Sequence, residues 1–80
     1  MTLQEILEIY PDEEILKADG FDRAVIGIDP ESMRLVYDRN IMFDILVTDE
    51  KMDPTDAIEH LDFNVYGAYV GEKTPIYVLI

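Results

Sequence analysis

Eighty residues with eighteen acids against six bases, a net charge of −12, make one domain rather than two and exclude a chain built to hold phosphates or anionic lipid. Apolar residues at 49% exclude a disordered tail despite that charge, and no apolar run approaches the ~20 residues that span a bilayer. Without cysteine there is no disulfide, no thiolate chemistry and no cysteine-held zinc.

Met1 to Glu5 lacks the basic start of a secretory signal, so a cytoplasmic protein is expected. Thr2 with Glu5 three residues on is a capping-box pattern, and Leu3, Ile6, Leu7 and Tyr10 follow at helical spacing. Pro11 ends that helix. Asp12 then caps a second short helical turn, with Glu13 and Glu14 at its start and Ile15 and Leu16 as its apolar contact, closed by Gly20. Arg23 to Ile28 reads as a strand, Asp29-Pro30-Glu31-Ser32 as a turn, and Arg34 to Tyr37 as the returning strand of a β-hairpin.

Asp38 or Asn40 caps a helix carrying Ile41, Met42, Ile45 and Leu46, and Thr48 to Met52 is a polar link. Asp53-Pro54-Thr55-Asp56 is the clearest helix start in the chain: a cap, proline at the first helical position and an acid in the first turn. Ala57, Ile58, Leu61 and Val65 form its apolar stripe to about Tyr66, and Gly67 stops it. After a turn at 71–74, Pro75 to Ile80 reads as a last strand, apolar enough to be central. The order αββααβ makes an α+β fold: a three-stranded sheet, hairpin plus C-terminal strand, packed against two or three helices.

Three constellations bear on chemistry. Residues 67–74 look like a phosphate-binding loop but have three residues between the glycines, Glu72 before Lys73, and a helix before with a strand after, so no nucleotide and no other cofactor is expected. Asp56, Glu59 and His60 share a helix face where two carboxylates and an imidazole could hold a divalent ion, although Asp53 and Asp56 also serve as capping residues. His60, the one histidine, has no serine placed near it for nucleophilic catalysis, since Ser32 lies in the hairpin turn. Phe63, Tyr66 and Tyr69 cluster at the end of the last helix, either as core-edge packing or as contact residues. With no bases between the rings, direct nucleic-acid binding is not expected.

The stretch Gly20-Phe21-Asp22-Arg23-Ala24-Val25-Ile26-Gly27-Ile28-Asp29, with Arg34-Leu35-Val36-Tyr37 after it and Asp56 to Pro75 further on, resembles a group of short, acidic, uncharacterised proteins of tailed bacteriophages. The resemblance implies a viral accessory protein acting inside a host cell and brings no site residues with it.

A non-enzymatic binding module for a basic host or phage protein surface is therefore the leading expectation, with Asp49, Glu50, Asp53, Asp56, Glu59, Tyr66 and Tyr69 as contact residues. In its sharpest form Asp12, Glu13, Glu14, Asp49, Glu50, Asp53, Asp56 and Glu59 mimic the phosphates of a nucleic acid. The alternatives are a self-associating structural component paired through its last strand, a small metal-dependent enzyme, and acidity that serves solubility alone.

Overall fold

A computed structural model describes all residues, 1–80. Helix α1 spans Leu3–Ile9, and both capping-box bonds form: Glu5 N–H donates to Thr2 Oγ1 and Thr2 N–H to Glu5 Oε1. A 3-10 turn at Asp22–Ala24 leads into strand β1, Val25–Asp29. Strand β2 is Arg34–Asp38, helix α2 Arg39–Asp44, helix α3 Pro54–His60 and strand β3 Ile76–Val78. Both later helices widen into π turns, at Ile45–Asp49 and Leu61–Tyr66. The fold is α+β, with a mixed sheet: β2 lies between antiparallel β1 and parallel β3.

Local chemistry explains the joints. Asp29 accepts from Ser32 Oγ and Glu31 N–H, which closes the hairpin turn, and Met33 takes a positive φ of 58° to leave it. Asp38 caps α2 by accepting from Asn40 and Ile41 N–H. Asp53 caps α3 through Thr55 N–H, with Pro54 at its first position. The core gathers one side of the sheet (Val25, Leu35, Tyr37) and the inward faces of the helices (Ile6, Met42, Ile45, Leu46, Ala57, Leu61) around Phe21.

Four expectations are corrected. Residues 12–18 form no second helical turn: Ile15 and Leu16 are too few to sustain one, and the segment is irregular chain fixed by Ala18 N–H donating to Tyr37 Oη at 2.8 Å. Arg23 belongs to the 3-10 turn, so β1 begins at Val25. The last strand is short and lies at the sheet edge, not the centre, with Leu79 and Ile80 exposed beyond it. Ile58, counted in the inward stripe of α3, points into solvent. No helix is long and apolar enough to cross a membrane.

Candidate functional site

The segment from Asp44, the last residue of α2, to Asp62, just beyond α3, holds seven acids and one base, Lys51: half of the net charge in under a quarter of the residues. All seven carboxylates are exposed. The helices point them outward because the same helices need Met42, Ile45, Leu46, Ala57 and Leu61 inside.

Asp49 is paired, at 3.1 Å, with Arg23 from the 3-10 turn. Glu50 lies in the link just before Lys51, whose positive φ of 60° turns the chain toward α3. Asp53 spends one carboxylate oxygen on its cap. Asp56 sits in the first turn of α3, where the helix dipole favours an acid, and Glu59 is one turn further along. Asp56, Glu59 and His60 do line one feature together: a shallow open cleft of about 420 Å³ completed by Met52, Phe63 and Asn64. His60 Nδ1 faces Asn64 Nδ2 at 3.4 Å. No three His, Asp or Glu side chains anywhere converge as metal ligands would, so the shared helix face of Asp56, Glu59 and His60 is a rim rather than a ligand set.

The two tyrosines differ. Tyr66 is half-buried, its ring 5.1 Å from that of Tyr77 and covered by the Arg39 guanidinium at 4.1 Å, so it belongs to the packing. Burial pushes the phenol of Tyr66 above its ordinary value, with the Arg39 charge working against that rise. Tyr69 is 78% exposed, as a contact residue must be. Phe63 is 80% exposed and sits in the acidic cleft itself. Its position was readable: two residues beyond inward Leu61, a helix has turned the side chain to the opposite side.

Residues 67–74 close on themselves. Thr74 Oγ1 accepts from Val70 N–H and donates to Gly71 O, while Lys73 Nζ donates to Ser32 O. Gly71 takes the left-handed φ of 109° that this turn needs. A more apolar cleft of about 390 Å³ lies between residues 16–21 and the end of α3; it holds one acid, Asp19, and one base, Lys17. No protein-family model, curated protein or solved structure matches the chain.

Proposed function

We propose that this protein is a small binding module without chemistry of its own, whose α2–α3 hairpin docks on a basic protein surface. The observation that carries the reading is the density of exposed carboxylates between Asp44 and Asp62, of which Arg23 meets only Asp49. Like charges held this close repel one another, and a cationic surface relieves that repulsion while steering the encounter. Phe63, standing among Asp56, Glu59 and His60, supplies the rigid apolar anchor such an interface needs at its centre, with Tyr69 further along.

Phosphate mimicry is the sharpest form of this proposal. In the viral accessory role that the resemblance implies, the carboxylates would occupy a site that otherwise holds DNA or RNA. Asp12, Glu13 and Glu14 lie on the loop after α1, a separate segment, so the hairpin face is taken without them.

The test is capture from bacterial lysate with the tagged chain and with a variant carrying Glu50→Gln, Asp56→Asn, Glu59→Gln and Asp62→Asn. Nucleic-acid-binding proteins enriched by the first, lost as salt rises and lost in the variant are the expected result. Equal enrichment by the variant, or none at any salt, overturns the reading.

A further inference from the structure

The π turn Leu61–Tyr66 carries two aromatic rings three residues apart, and the fold treats them differently. Tyr66 is half-buried, and the chain covers its face with a cation of its own: the Arg39 guanidinium lies 4.1 Å from the centroid of the ring. Phe63 has no such cover. At 80% it is the most exposed of the large apolar side chains, and it stands in the open cleft of about 420 Å³ with Met52, Asp56, Glu59, His60 and Asn64. No lysine or arginine lines that cleft.

The groups around the ring fit a cation with a flat face. Asp56 and Glu59 are exposed, and neither of the molecule's two ion pairs, Lys17–Asp22 and Arg23–Asp49, uses them. They are three residues apart on α3, with Phe63 four beyond Glu59, so carboxylates and ring are neighbours along one flank of the helix. A guanidinium lays its plane on a ring and still turns its N–H edge to a carboxylate, because the two contacts use different parts of the group. A lysine ammonium is compact and strongly hydrated, so contact with the ring strips away water that contact with the carboxylates alone leaves in place. Met52, half-buried in the same cleft, offers an apolar wall to the arginine stem. A shallow cleft suffices for a flat group lying on a ring.

We propose that this cleft takes one arginine side chain of the basic partner, stacked on Phe63 and held by Asp56 and Glu59, so that the protein prefers arginine-rich surfaces to lysine-rich ones of equal charge. The inference rests on the docking proposed above and adds the residue type at the centre of the contact. The chain already makes this pair once within itself, with Arg39 on Tyr66. Acidity alone attracts lysine and arginine alike; the bare ring separates them. Salt sharpens the difference, because screening weakens the carboxylate pairs that both cations make and leaves the stacking on the ring in place.

Titration of the full chain with hexa-arginine and hexa-lysine, labelled peptides of equal length and charge, tests this by fluorescence anisotropy at low and moderate salt. The expected result is roughly three- to fivefold tighter binding of the arginine peptide, a ratio that grows with salt. Phe63→Leu, which keeps an apolar side chain but no ring, removes most of that preference. Phe63→Tyr, which keeps an aromatic face, retains it. Circular dichroism checks that both variants are folded, as the exposure of Phe63 leads one to expect. Equal affinity for the two peptides overturns the arginine assignment and leaves the docking reading standing. A preference that folded Phe63→Leu leaves intact overturns it in the same way, since the ring then plays no part. Binding of neither peptide at low salt overturns both.

Discussion

Strand β2 has a neighbour on each edge and the helical layer over one side, while α3 has one side in the core and the other in water. Leu35 and Tyr37 of β2 are fully buried; on α3 only Ala57 does the same, and Asp56, Glu59 and, in the π turn that follows, Phe63 stand in solvent. β2 has five residues and α3 seven, yet one is specified by what it excludes from water and the other by what it presents to it. Stability is concentrated in the strand and the proposed recognition surface lies on the helix, so substitutions in the two should separate.

Leu35→Ala tests the strand side most severely. Removing a fully enclosed side chain from the central strand is expected to cost about 2–5 kcal/mol in urea unfolding, a large part of the stability of so small a domain. Partner capture by the fraction that stays folded should be unchanged.

Tyr37→Phe is milder, about 1 kcal/mol, because it strips the Ala18 N–H of its acceptor while keeping the ring 5.7 Å from Tyr77. Burial raises the phenols of Tyr37, Tyr66 and Tyr77 above their usual value. The neutral form is the one the fold prefers, so this contribution is whole below about pH 10 and is lost as pH rises through the raised values. Alkaline unfolding followed by tyrosine absorbance should therefore start above about pH 10. Unfolding well below that value would break the assignment.

Phe63→Ala should move stability by less than about 0.5 kcal/mol, because the ring is 80% exposed, while weakening partner capture. A loss of stability as large as that of Leu35→Ala would erase the distinction between the two elements.

What could be read in advance divides by distance along the chain. The capping box at Thr2 and Glu5, the Asp53-Pro54 start and the Asp29 turn each complete their hydrogen bonds within three residues, so the letters alone imply them. The irregular path of residues 12–18 is set by Tyr37, nineteen residues beyond Ala18. The edge position of β3 depends on which strand it meets, and its apolar run gives the same pattern at an edge as at the centre. The wide turns that finish α2 and α3 have no composition signal that we can identify. At the site, the outward acids of α3 were legible from helical spacing. The withdrawal of Tyr66 into packing was not, since it requires Arg39 and Tyr77 from two other elements.

Asp38 is at once the last residue of β2, the cross-strand partner of Val78 and the cap of α2. The chain passes from strand to helix with no connecting residue. In folding, β1, β2 and α2 form one uninterrupted local unit that can assemble from near neighbours, whereas β3 joins only after everything from Arg39 to Pro75 has looped back. The order of events is thereby built into the joint. From sequence separation alone, the hairpin and the first turn of α2 are expected to rise together, with the parallel pairing closing last, on a strand whose far end is already clamped. Amide exchange should reflect the same hierarchy, slowest along the β1–β2 ladder and fastest at Ile76 to Val78.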